Sequence, residues 1–243
     1  MKILELDSGN TRLKWRVLHN ERPIHQGVFL NTEDWEVGFN ALLSNIGMLD
    51  KARASIVSGT DRSQLLASII RKIFGIELQI ISIRPIWRGL QLQYENPLKL
   101  GVDRWLAMQA AWNHSSSGAC IIVDSGTALT VDVIDHQGVH QGGFIVPGQV
   151  LMKKALLTNT AELGISYEPT ASIELGNKTI DCINHGVLAM SVSLINAQTE
   201  RYDDVTVYLA GGDAPQLEPH IRARSIYMSD MVMNGLALAD REN

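Results

Sequence analysis

The sequence predicts an α/β fold made of two copies of one βββαβαβ unit, spanning residues 1–115 and 116–243. Three observations carry that prediction. Residues 3–17 (Ile-Leu-Glu-Leu-Asp-Ser-Gly-Asn-Thr-Arg-Leu-Lys-Trp-Arg-Val) and residues 121–134 (Ile-Ile-Val-Asp-Ser-Gly-Thr-Ala-Leu-Thr-Val-Asp-Val-Ile) each form an apolar run that ends in Asp-Ser-Gly, turns tightly and continues as a second alternating run. His25-Gln26-Gly27 lies 18 residues beyond Asp7, and His140-Gln141-Gly142 lies 16 residues beyond Asp124, so the likeness extends into a third strand. After each of these meanders the pattern changes to alternating helices and strands. Self-similarity on this scale marks a duplicated supersecondary unit.

In the first half, Asn31 or Thr32 is placed to cap a helix, with Glu33 and Asp34 at its positive end. Trp35, Phe39, Leu42, Leu43 and Ile46 recur at helical spacing as its buried stripe. Residues 53–57 read as a short strand that Ser58 and Gly59 end. A second helix carries Leu65, Leu66, Ile69, Ile70, Ile73 and Phe74 and stops at Gly75, a suitable residue just past a helix end. Leu78 to Ile83 form the next strand. Residues 84–100 contain Pro85, Trp87, Gly89, Tyr94 and Pro97, and read as an irregular binding or lid loop. Gly101-Val102-Asp103-Arg104 opens a helix that runs through Trp112, and Ser115 to Gly118 close it at the domain boundary.

The second half repeats the plan, with strands near 119–124, 129–134 and 140–146. Pro147-Gly148 breaks the third strand, and a short helix follows through Leu151, Ala155 and Leu156. Residues 159–177 read as loop with a weak helical turn. A long helix from about Thr179 to Glu200 carries Gly186, Ala189 and Ser193, small residues that permit close packing. Val205 to Ala210 form a core strand that runs into Gly211-Gly212-Asp213-Ala214. A short helix at Pro215, a strand at Ser225–Met228 and a last helix from Asp230 complete the chain.

An Asp-Ser-Gly turn between two strands suits a phosphate group and a hard cation. Gly9 and Gly126 can take positive φ, so that each turn can aim successive N–H groups at one point. Ser8, Thr11, Ser125 and Thr127 add hydroxyls, and Lys14 adds a point charge. Asp7 and Asp124 end their strands as oxygen ligands for magnesium or potassium. The same residue types also fill ordinary hairpins for conformational reasons. It is the occurrence of two such turns in equivalent places that favours a ligand.

Bulk properties exclude several classes. The chain has 243 residues, 45% of them hydrophobic and 19% charged, as in a globular protein. A net charge of −5 without a Lys/Arg run argues against nucleic acid as a partner. No uninterrupted apolar stretch approaches the length of a membrane span, and a strand beginning at residue 3 leaves no room for a signal peptide. Cys120 and Cys182 show no metal-ligand spacing and read as buried thiols in a reducing cytoplasm.

The duplicated unit with its paired acidic turns resembles the actin-like (ribonuclease H-like) ATPase superfamily, and within it the type III pantothenate kinases. The matching motifs are Asp7-Ser-Gly-Asn-Thr-Arg-Leu-Lys14, Tyr94 with Asn96-Pro97, Leu100-Gly-Val-Asp-Arg-Trp105, Asp124-Ser-Gly-Thr-Ala128, Gly142-Gly-Phe-Ile-Val-Pro-Gly148, Leu175-Gly-Asn-Lys-Thr179 and Gly211-Gly-Asp-Ala214. One less typical feature is Ala210, where a Thr is more usual before the glycines. The resemblance implies two actin-like domains with a cleft between them, and ATP-dependent phosphorylation of pantothenate towards coenzyme A. It implies a homodimer, magnesium, and a monovalent cation, potassium or ammonium. By the same resemblance Asp7, Ser8, Gly9, Asn10, Thr11, Arg12, Leu13, Lys14 and Thr127 bind ATP. Asp103 is the general base, Tyr94, Gly101, Val102, Asp103, Arg104 and Thr179 contact pantothenate, and Asp124 holds the monovalent cation.

Each site residue also has a plainer role. Asp103 could be only a helix cap, Arg104 a surface charge, and Tyr94 an aromatic anchor for its loop. A guanidinium does, however, suit a carboxylate such as that of pantothenate. Alternative functions are another phosphotransferase or phosphohydrolase on the same scaffold, or a non-catalytic accessory factor for transcription.

Overall fold

The computed structural model describes the chain except for residues 58, 116–117, 159–170 and 242–243. The chain divides into two compact units: residues 1–84 with 98–110 and 232–243, and residues 85–97 with 111–231.

The first unit is built on a five-stranded sheet. Strands β1 (Lys2–Ser8), β2 (Arg12–His19) and β3 (Arg22–Leu30) form the antiparallel meander. After helix α1 (Trp35–Ile46), strand β4 (Lys51–Ile56) lies parallel to β1, and after helix α2 (Thr60–Phe74), strand β5 (Leu78–Ile80) lies parallel to β4. The strand order is therefore β3-β2-β1-β4-β5. The last strand is shorter than the expected Leu78 to Ile83.

One face of this sheet is apolar. Leu4, Leu6, Leu13 and Val17 meet Trp35, Phe39, Leu42 and Ile46 of α1 and Leu66, Ile69, Ile70 and Phe74 of α2. Burying each such side chain contributes about 1.5–3 kcal/mol. The helices end as their sequences dictate: Gly75 takes φ 70°, and its N–H bonds the carbonyl of Arg71. The cap of α1 differs from expectation. Asp34, rather than Asn31 or Thr32, accepts the N–H of Glu36 at 2.9 Å. Asn31 is instead drawn across to the loop between β1 and β2.

The opposite face is charged. Glu5, wholly buried on β1, is bonded by Arg16 of β2 and Arg53 of β4, its two neighbours in register. The C-terminal helix α7 (Met231–Asp240) completes the network: Asp240 pairs with Arg53 and Lys51, and Asn234 accepts Arg16 at 3.1 Å. Such a network holds only because each charge has partners, since a lone buried charge would cost far more than packing could offset. Helix α3 (Val102–His114) is buried all round from Arg104 to Ala111, its residues through Ala110 belonging to this unit. Gly235 of α7 touches its backbone, and a β-carbon there would stand 2.8 Å from Leu106 Cα.

The second unit repeats the topology. Strands β8 (Ala119–Ser125), β9 (Ala128–Ile134) and β10 (Val139–Pro147) form a meander, and β11 (Val205–Ala210) and β12 (Arg224–Tyr227) extend it in parallel beyond β8. Both meanders carry a register shift beside the repeated His-Gln-Gly. The duplicated α/β architecture expected from the sequence is thus present in both sheets.

Residues 84–100 correct the expectation of an irregular loop. Two short strands, β6 (Ile86–Trp87) and β7 (Leu90–Leu92), pair as a hairpin, and β7 lies parallel to β10. Arg88 and Gly89, both at positive φ (47° and 82°), form its two-residue turn. The turn escaped notice because arginine is an unusual occupant of that conformation. The second sheet therefore runs β12-β11-β8-β9-β10-β7-β6.

Helices α4 (Gln149–Thr158), α5 (Thr179–Thr199) and α6 (Ala214–Leu217) complete this unit. By length and composition alone α5 could cross a membrane. Instead Leu188, Val192 and Ile195 pack into the core with Ile121, Val123, Val131 and Leu209, while its buried Asn196 bonds the backbone of His220 and Arg222. Of the region expected as loop with a helical turn, residues 159–170 lie outside the described residues, and 171–178 contain neither helix nor strand. Cys120 is buried as expected, but Cys182 is exposed, on the outer side of α5.

Candidate functional site

In the first unit the Asp-Ser-Gly turn joins β1 to β2, and Asp7 stands opposite Lys14 in the register. Strand alternation separates the roles available to the motif. Ser8 is wholly buried, and Leu13 belongs to the hydrophobic core, so their side chains lie inside. Asp7, Gly9 and Lys14 are half-buried, whereas Asn10, Thr11 and Arg12 are exposed. The turn is closed by the Gly9 N–H to the Arg12 carbonyl at 3.1 Å, and neither Gly9 nor Gly126 takes the positive φ expected of it. Ser55 of β4, beside Asp7 in register, is wholly buried and its hydroxyl has no partner among the described residues. Sequence reasoning missed it, because only strand pairing brings it next to Asp7.

The same unit holds the start of α3. Asp103 accepts the N–H of Arg104 through Oδ1 at 2.8 Å, which orients the carboxylate over the helix N-terminus. Gly101 is required by space rather than by backbone angle, since a β-carbon there would lie 2.5 Å from Asp103 Oδ1. Arg104 is 8% exposed, so it is not a surface charge. Val102 is half-buried.

In the second unit Asp124 is half-buried at the end of β8, Ser125 is wholly buried with no partner for its hydroxyl among the described residues, and Thr127 is exposed. Two glycine segments press on this turn. A β-carbon at Gly211, which has φ 92°, would lie 2.7 Å from Asp124 Oδ1, and one at Gly148 would lie 2.8 Å from the Thr127 carbonyl. The Asp213 N–H bonds the Ser125 carbonyl at 3.1 Å, and the Gly148 N–H bonds the Thr127 carbonyl at 2.9 Å. Helix α4 starts directly after Gly148 and places Gln149 and Lys153, one turn apart, on a single buried face. Burial lowers the pKa of Lys153, opposed by the negative charge of Asp213. Neither Gln149 nor Lys153 was anticipated; a polar side chain four residues before another carries no sign of burial.

Tyr94, half-buried just beyond β7, stacks on His140 with ring centroids 6.4 Å apart. His140 Nε2 in turn bonds Asp132 Oδ1 at 3.0 Å, and both are buried. His140, which the sequence marked only as a member of the repeat, therefore anchors the aromatic ring. Thr179 is exposed at the first turn of α5, whose preceding residue, Lys178, supplies no side-chain cap.

Among the described residues no three His, Cys, Asp or Glu side chains gather as a metal site. A single carboxylate at the end of β1 or β8 still fits magnesium as nucleotide phosphates carry it, because that ion takes one or two carboxylates and fills its shell with water and phosphate oxygens.

Comparison with known proteins agrees along nearly the whole chain. The family description that matches is type III pantothenate kinase, over residues 3–201. The type III pantothenate kinase of Alcanivorax borkumensis is 33% identical, covering 96% of this chain and 96% of its own. Among solved structures, a conserved putative Baf family transcriptional activator from Campylobacter jejuni superposes with TM-score 0.64 at 20% identity, covering 99% and 98% of the two chains. A putative 2-dehydro-3-deoxygalactonokinase from Sinorhizobium meliloti also gives TM-score 0.64, at 12% identity over 99% and 98%. The last two likenesses concern the fold.

Proposed function

The chain belongs to the type III pantothenate kinase family, and on that footing we propose that it transfers the γ-phosphoryl group of ATP to the primary hydroxyl of pantothenate, the first step towards coenzyme A, in the cytoplasm. The observation that carries this reading is the family match over residues 3–201, a span that includes the Asp7 and Asp124 turns and the Gly101–Asp103–Arg104 helix start.

In the reaction the pantothenate oxygen forms a bond to the γ-phosphorus while the bond to the β–γ bridging oxygen breaks, and the hydroxyl proton passes to Asp103. The transition state is loose, so most of the acceleration comes from positioning and from charge neutralisation. Residues Asp7 to Lys14 bind the ATP phosphates, with Ser8 and Leu13 contributing only main-chain atoms because their side chains are buried. Thr127 adds a hydroxyl from the second turn. Arg104 binds the pantothenate carboxylate, and Tyr94, Gly101, Val102 and Thr179 contact the same substrate. Asp7 would hold magnesium, and Asp124 a potassium or ammonium ion. Those cations supply positive charge at the phosphates. The protein works as a homodimer with neither nucleic acid nor membrane as partner.

The deciding experiment measures ADP release from ATP by purified protein with pantothenate, with sugars and with no acceptor. Pantothenate-dependent release is expected. Equal release with every acceptor, or none with pantothenate, would overturn the assignment.

A further inference from the structure

The turn at residues 9–12 is held from behind by two residues outside every motif discussed above. The Asn31 side-chain amide donates to the carbonyls of Gly9 at 3.1 Å and Asn10 at 2.7 Å, and the Asn31 backbone N–H donates to the Thr11 carbonyl at 3.1 Å. Arg62 of α2 donates a further bond to the Gly9 carbonyl at 3.2 Å. Three consecutive carbonyls are thereby fixed on one side. In a planar trans peptide the N–H points opposite to the C=O of the same unit, so the N–H groups of Asn10, Thr11 and Arg12 are turned together to the other side. N–H groups turned to a common side are main-chain donors available to an anion.

Trp35 supports both braces. Its indole N–H bonds the Leu30 carbonyl at 3.0 Å, directly before Asn31, and the Arg62 guanidinium lies over its ring at 5.8 Å from the centroid. The ring itself is buried in the core of the unit.

We propose that Asn31 and Arg62 are positioning residues for ATP, aligning the main-chain donors of residues 10–12 on its phosphates without touching the nucleotide. This rests on the reading of residues 7–14 as the phosphate-binding turn. It accounts for Asn31 leaving the helix-capping role to Asp34.

The test compares Asn31→Ala, Arg62→Gln and their double variant in the full chain. It reads Mg-ATP affinity by direct titration, KM for pantothenate by assay, and Tm. Arg62→Gln, which removes one hydrogen bond, should weaken Mg-ATP binding about tenfold, and Asn31→Ala, which removes two, by at least as much. The double variant should fall short of the product, because both side chains act on the Gly9 carbonyl. KM for pantothenate should stay within about twofold, which a general loss of structure would not allow. Arg62→Lys, which keeps a donor and the charge, should restore most of the affinity. Unchanged Mg-ATP affinity in folded variants, or a parallel rise in both constants, overturns the proposal. If the unaltered protein binds Mg-ATP but leaves pantothenate unphosphorylated, while the variants bind it more weakly, the bracing stands and the kinase reading falls. If the unaltered protein binds no Mg-ATP, the bracing falls as well.

Discussion

Gly101 leaves the Asp103 carboxylate its place: a β-carbon at position 101 would stand 2.5 Å from Asp103 Oδ1. Because Gly101 has an ordinary backbone angle, alanine should fold there and push the carboxylate aside. We predict that Gly101→Ala keeps its Tm within a few degrees and loses about 10²-fold in turnover, the usual effect of a displacement near 1 Å. Turnover equal to that of the unaltered enzyme would show that the orientation of Asp103 is unimportant.

Asp103→Asn retains a side-chain oxygen to accept the Arg104 N–H, so the helix start should survive. Mg-ATP binding should be preserved while turnover falls by ~10²–10⁴, the contribution of a positioned base. Near-normal turnover in a folded Asp103→Asn protein would reduce Asp103 to a helix cap.

The Asp124 turn leads to a cation prediction. Activity should be higher in potassium or ammonium than in sodium, and Asp124→Ala should remove the difference. Equal rates of the unaltered enzyme in all three salts would refute the role given to Asp124.

Asp240 links stability to pH. Burial opposes its ionisation, but hydrogen bonds from Lys51 and Arg53 and their charges hold its pKa below the ordinary value of 3.8. A carboxyl depressed on folding contributes stability that is present above its unfolded pKa and is lost as pH falls through the folded value. Asp240→Asn should therefore destabilise the protein near pH 7, by about 3–5 kcal/mol if it behaves like other broken buried pairs. The difference should shrink in acid below pH 3.8. Denaturant unfolding across pH provides the check; a constant difference would exclude the linkage.

Helix α5 leaves Gly186, Met190 and Ser193 exposed along one side. If this stripe forms the two-fold contact of the proposed homodimer, Met190→Asp should sediment as a monomer and lose activity. A fully active monomer at assay concentration would exclude the dimer as a requirement.

The duplicated plan was legible in the chain because it rests on local periodicity. Apolar alternation marked each meander, helical spacing marked α1 and α2, and Gly75 marked a helix end, all within a few residues of one another. The two acidic turns and the Asp103 helix start were legible for the same reason. Local pattern did not reveal which polar residues would meet. Asn31 had the chemistry of a helix cap, yet the carbonyls of Gly9 and Asn10 took its amide. Tyr94 acquired His140 as a platform only when β7 joined β10, and Ser55 came beside Asp7 only through the pairing of β4 with β1. Arg53 and Asp240 are 187 positions apart and had no mark of partnership in the sequence. Side-chain periodicity is set by backbone geometry within one element, and so it can be read along the chain. Burial and pairing of charge depend on which elements become neighbours, and that is decided only when the sheets assemble and the helices close over them.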